Sequence, residues 1–145
     1  MRPQNIFLVL SSTLMGLTFL FPFGYTATAA AEGIFADAQL TQSDNIALMI
    51  LCIAAAALSF VGLFFYSIKY DAGKYRMQRL MAQVGMIAAF GTLGLAAYFL
   101  FLSGVAAPSV GISLFLPALA VIFGYMAIRQ INQDESVIRS ANRIR

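Results

Sequence analysis

Apolar side chains fall into four long blocks divided by shorter polar stretches. The blocks run from about Ile6 to Phe23, from Ile46 to Ile68, from Leu80 to Leu102 and from about Val110 to Ile128. None alternates apolar and polar residues with a period of two, and a membrane barrel needs about eight such strands. Each block reaches the roughly 18 to 20 residues that a helix needs to cross a hydrocarbon core about 30 Å thick. In lipid the backbone must satisfy its own hydrogen bonds, so the pattern predicts four transmembrane helices. The expected fold is an all-α integral membrane four-helix bundle. Loops 24–45 and 103–109 lie on one side, and loop 69–79 and the tail 129–145 on the other.

Composition agrees with this reading. Of 145 residues, 61% are hydrophobic and 10% charged, against about 25% charged in soluble domains. Charge then orients the helices. Lys69, Lys74, Arg76 and Arg79 lie between the second and third blocks, Arg129, Arg139, Arg143 and Arg145 follow the fourth, and Arg2 precedes the first. The other two loops hold no basic residue, and the longer one carries Glu32, Asp37 and Asp44. Basic loops stay in the cytoplasm, so both termini are expected inside. The eight basic residues between Lys69 and Arg145 are then candidate contacts for anionic headgroups or a partner. Tyr66, Tyr70 and Tyr75 at the inner side, and Tyr25 and Tyr98 at the outer, are placed as interfacial anchors. Ser43 and Asp44 are candidate N-caps for the second helix.

Lipid is as apolar as leucine, so helices associate through close packing of small residues. Ala54, Ala55, Ser59 and Gly62 on the second helix, and Gly85, Ala89, Gly91 and Gly94 on the third, are the candidate packing positions. Pro117 lies inside the fourth block and predicts a kink there, static in the plainer reading and a hinge in the sharper one. In the tail, Ile131, Ile138 and Ala141 share one face and Arg139 and Arg143 another. This fits a short amphipathic helix that continues the fourth span and lies near anionic headgroups, or alternatively one that binds a partner.

The blocks contain no Asp, Glu, Lys, Arg or His. Ionisable groups at depth mark proton relays, voltage sensors and intramembrane catalysis. Their absence from the blocks predicts a non-enzyme with no cofactor and no metal. Gln83 reads as an interface or packing amide and Cys52 as a small hydrophobe. Ser11, Ser12 and Thr13 are expected to bond back to their own helix. The basic residues lie where topology requires them, so nucleic acid is not an expected partner. The segment "FGYTATAAAEG" after the first block resembles a signal cleavage site. However, the block's 18 residues exceed the roughly 7 to 15 of a signal core, so an uncleaved first helix is expected. Its alanines would let the outer loop lie close to the membrane surface.

The ends of the chain carry a resemblance. "QNIFLVLSSTLMGLTFLFPF" and "LPALAVIFGYMAIRQINQDESVIRSANRIR", with the acidic pair Asp134 and Glu135 before a basic ending, resemble a family of small four-span inner-membrane proteins of Bacteroidota. That family is catalogued as a domain of unknown function. The resemblance implies four spans, an uncleaved first helix and a bacterial inner-membrane address, and it implies no activity. Together these readings point to an accessory or structural subunit of a larger inner-membrane complex. The alternative is a component of a small oligomeric channel or transporter.

Overall fold

The computed structural model describes residues 3–27, 33–65, 72–102, 104 and 107–143. These form four helices: α1 (Pro3–Leu17), α2 (Ile46–Phe64), α3 (Ala72–Phe101) and α4 (Phe115–Arg143). Among the described residues, three stretches are long and apolar enough to cross a membrane. They are Ile46–Phe64, Tyr75–Phe101 and Ile112–Val137, with 19, 27 and 26 residues. α1 has 15 residues, a length of about 22 Å. α1 packs against α2 and α4, and α3 against the same two.

The first helix was expected to reach Phe23 and stops six residues sooner. The Thr18 hydroxyl donates to the Met15 carbonyl at 2.6 Å. The Phe19 and Leu20 amides turn back to the carbonyls of Gly16 and Leu17, only three residues behind. Pro22 then has no N–H with which to resume a helix. The second helix is N-capped by Asn45, whose side-chain oxygen accepts from the amides of Ala47 and Leu48 at 2.9 and 3.3 Å. Asp44, a candidate for that role, closes the turn before it instead. Its carboxylate accepts from the Thr41 amide at 2.6 Å and the Thr41 hydroxyl at 2.9 Å. Ser43 is exposed and pairs with the Thr41 hydroxyl.

One expectation about the ends of the helices is corrected. Pro117 is the third residue of α4 and wholly buried. The first turn of a helix has no internal partners for its N–H groups, so the proline costs no hydrogen bond there and makes no mid-helix kink. The tail continues the fourth apolar block as one helix, as expected, since α4 runs unbroken from Phe115 to Arg143. At about 1.5 Å per residue, α3 and α4 are each about 45 Å long, well beyond the apolar core of a bilayer.

The connections at the other end are not flat loops. β1 (Gly24–Tyr25), β2 (Gln39–Leu40) and β3 (Ser109–Val110) form a small antiparallel sheet in the order β2-β1-β3. Gly24 stands opposite Leu40 on one side and Val110 on the other. The Phe23 amide bonds to the Leu40 carbonyl at 2.7 Å, and the Gly111 amide to the Phe23 carbonyl at 2.8 Å. Glycine is required at 111, because a Cβ there would stand 2.9 Å from the Phe23 carbonyl carbon and 3.0 Å from the Gly24 nitrogen. Under the sheet, Phe23, Phe35 and Leu40 are buried against Met15, Leu48 and Leu100. The loop thus carries its own apolar cap. Thr28 to Glu32, which include the suspected cleavage alanines, lie outside the described residues.

Candidate functional site

Three of the buried polar side chains, Gln4, Asn5 and Gln78, gather at the end opposite the sheet. Gln4, Leu8, Ser11, Met15 and Thr18 are all buried, and their spacing of three or four residues sets them on one stripe of α1. Gln4 is wholly buried, and neither the nitrogen nor the oxygen of its amide has a hydrogen-bond partner. Beside it, the Gln78 amide of α3 donates to the Asn5 side-chain oxygen at 3.3 Å. Gln78 is 1% exposed and Asn5 8%. Leu8, Tyr75, Ala82, Ala127, Ile128 and Ile131 form the apolar cluster at this end.

The same end ties α3 to α4. The Arg79 guanidinium donates to the Asn132 side-chain oxygen at 3.2 Å and to the Glu135 carboxylate at 3.4 Å. This partly exposed ion pair contributes no more than about 1 kcal/mol, but it fixes how the two helix extensions face each other. On α4, Tyr125, Ile128, Arg129, Asn132, Gln133 and Ser136 line a groove of about 300 Å³. Ile128 is buried, while Tyr125 and Arg129 are exposed.

The basic residues singled out in the sequence separate into distinct places. Arg79 is turned to α4, Arg129 lies in the groove, and Arg76 is exposed on α3. Lys69 and Arg145 lie outside the described residues, as do the side chains of Lys74, Arg139 and Arg143. Arg2, Tyr66 and Tyr70 are also outside them. Tyr75 is not an interfacial anchor, since it is buried among Leu8 and Ile131. Ile131 faces this cluster too, so the start of the tail packs on the protein.

Among the candidate packing positions, Gly85 makes the closest approach. A Cβ there would stand 2.9 Å from the Ser59 hydroxyl and 3.5 Å from the Ala55 carbonyl oxygen. Gly62 faces Leu8 and Met81, Gly91 faces Leu51, Ala89 is buried and Ala54 half-buried. Gly94 is exposed, and nothing lies within 4 Å of a Cβ placed on it, so it makes no close helix contact within the chain. Gly124, not singled out from the sequence, packs against Met86. The serines of α1 also depart from expectation. Ser11 donates to the Ala120 carbonyl of α4 at 3.1 Å, and Ser12 to the Ala56 carbonyl of α2 at 3.0 Å. They bond across helices because the small residues let the backbones come close enough for a hydroxyl to reach. Cys52 is buried beside the Thr18 and Thr92 hydroxyls, and Gln83 is exposed.

Gln4, Asn5 and Gln78 were not legible as a group. They sit at the edges of apolar blocks, where amides ordinarily face water, and only the way α2 and α4 bring α1 and α3 near each other places them together. A family model described as "Domain of unknown function (DUF4293)" matches residues 1–144. No curated protein and no solved structure matches the chain.

Proposed function

The chain belongs to the family described as a domain of unknown function, DUF4293, and from that premise we propose that it is a non-catalytic integral membrane protein, an accessory or structural subunit of a larger inner-membrane complex. In this reading α1 with the turn after it, α2, α3 and α4 each cross the bilayer. Both termini are cytoplasmic, and the small sheet faces outward. The observation that carries the reading is how the interior polar groups are used. Ser11, Ser12, Gln78 and Asn5 all bond between helices, which holds the helices together rather than preparing a reaction. Leu8, Met15, Leu48, Cys52, Ala55 and Ala96 fill the space between the helices and are wholly buried. That filling favours a structural role over a pore through one copy. Ile53, Phe60, Ile87, Phe90 and Ile122 face outward, toward lipid or a neighbouring membrane helix.

Purification in mild detergent after crosslinking in cells, followed by mass spectrometry, tests the proposal. Reproducible capture of the same larger membrane protein is expected. A protein that always runs alone, with no crosslinked neighbour, overturns it. Solute flux through liposomes holding the pure protein would favour a channel instead.

A further inference from the structure

We propose that the groove along α4 binds the headgroup of one anionic phospholipid. The inference rests on the membrane placement proposed above. Arg129 lies seventeen residues beyond Ile112, where the apolar stretch begins, so it sits about 26 Å along the helix. In a hydrocarbon core about 30 Å thick its Cα lies about 4 Å inside the boundary, and the long side chain snorkels from there to the phosphate layer. Among the described residues no hydrogen bond or ion pair involves Arg129, whereas Arg79 is bonded to Asn132 and Glu135. The free fork of donors in Arg129 matches a phosphate's paired oxygens.

The other lining residues grade in the same direction. Tyr125, exposed toward the membrane centre with the buried Ile128 behind the groove, offers an apolar surface to the glycerol and upper acyl chain. Asn132 and Gln133 lie one turn beyond Arg129. The Oδ1 of Asn132 is taken by Arg79, which fixes the amide and leaves its NH2 as a donor. Ser136 closes the far end, its hydroxyl donating to the Gln133 carbonyl at 2.7 Å. The volume of about 300 Å³ falls at the small end of ligand sites, which suits a phosphate-bearing headgroup. The charge on Arg129 selects an anionic lipid over a zwitterionic one.

The test is native mass spectrometry of the full chain in mild detergent, titrated separately with phosphatidylglycerol, phosphatidylcholine and free glycerol phosphate. One phosphatidylglycerol per chain is expected, bound several-fold more tightly than phosphatidylcholine, with no measurable glycerol phosphate. One basic residue near an anionic surface is worth about fivefold, so Arg129→Gln should weaken phosphatidylglycerol about fivefold. Arg76→Gln, exposed and outside the groove, should leave it unchanged, and Arg129→Lys should restore part of the affinity. Equal losses in R129Q and R76Q would reduce the effect to general attraction and overturn the site, as would no preference between the lipids. Saturation by glycerol phosphate would replace the lipid with a soluble ligand and also overturn it. Crosslinked partners are scored on the same variants. No crosslinked partner on the unaltered chain, with lipid selectivity kept, fails the subunit reading alone, and partners captured with no lipid selectivity fail the lipid site alone.

Discussion

Gln4 is a fully buried amide whose donor and acceptor both lack a partner. A buried polar group left unpaired costs about 1 to 3 kcal/mol. Gln4→Leu keeps a similar volume and removes that cost, so it should stabilise the protein by an amount of that order in a detergent unfolding titration. A less stable variant would mean that the amide is hydrogen-bonded in the bilayer and that its apparent isolation is filled by water. A second residue carries strain of a different kind. Ala38 has φ 61°, a left-handed conformation that costs an L-residue about 1 to 2 kcal/mol. It is held there because its carbonyl accepts from the Thr26 amide at 2.9 Å while its own amide bonds to Phe35. Ala38→Gly should raise the thermal midpoint. An unchanged or lower midpoint would show that the gain in unfolded-chain freedom cancels the relief.

At the scale of elements, the contact between α2 and α3 turns on Gly85. A larger side chain would drive into Ser59 and the Ala55 carbonyl, and overpacking of this kind costs about 1 to 3 kcal/mol. Gly85→Leu should therefore lower stability by that amount, and Gly94→Leu, on an open face, should not. Equal effects at the two sites would remove the packing argument. Ser12→Ala should cost about 0.6 kcal/mol, the average for a hydrogen bond between membrane helices. The same contrasts mark what the sequence could convey. The run of apolar residues reveals that α2 exists, and the Ala–Ser–Gly spacing reveals where a neighbour could approach. Neither says that Gly85 meets that neighbour and Gly94 does not, since that depends on how α3 is rotated. The stop of α1 at Leu17 depends on a threonine hydroxyl and three-residue turns, inside a stretch still apolar enough to continue. The sheet was illegible for a related reason: strands two residues long have no periodicity, and their partners lie far apart in the chain.

For the whole molecule, the arrangement of charge predicts a definite sidedness. The lone native thiol, Cys52, is buried, so single introduced cysteines can be read without background. Ala27→Cys, exposed beside the sheet, should react with an impermeant maleimide added to intact cells. Ser140→Cys, exposed near the end of α4, should react only after the membrane is opened. The opposite pattern would invert the topology, and labelling of both from outside would break the even span count. The sheet also imposes an order on biogenesis. β1 is made just after the first helix, yet Tyr25 must wait for Ser109, 84 residues later. At about 5 to 20 residues per second, that interval is on the order of ten seconds. In the proposed topology two further helices enter the bilayer during it and bring the chain back across. Until then one edge of β1 has no strand to pair with, so closure of the sheet acts as a latch that sets only once α3 has returned the chain to the side of β1.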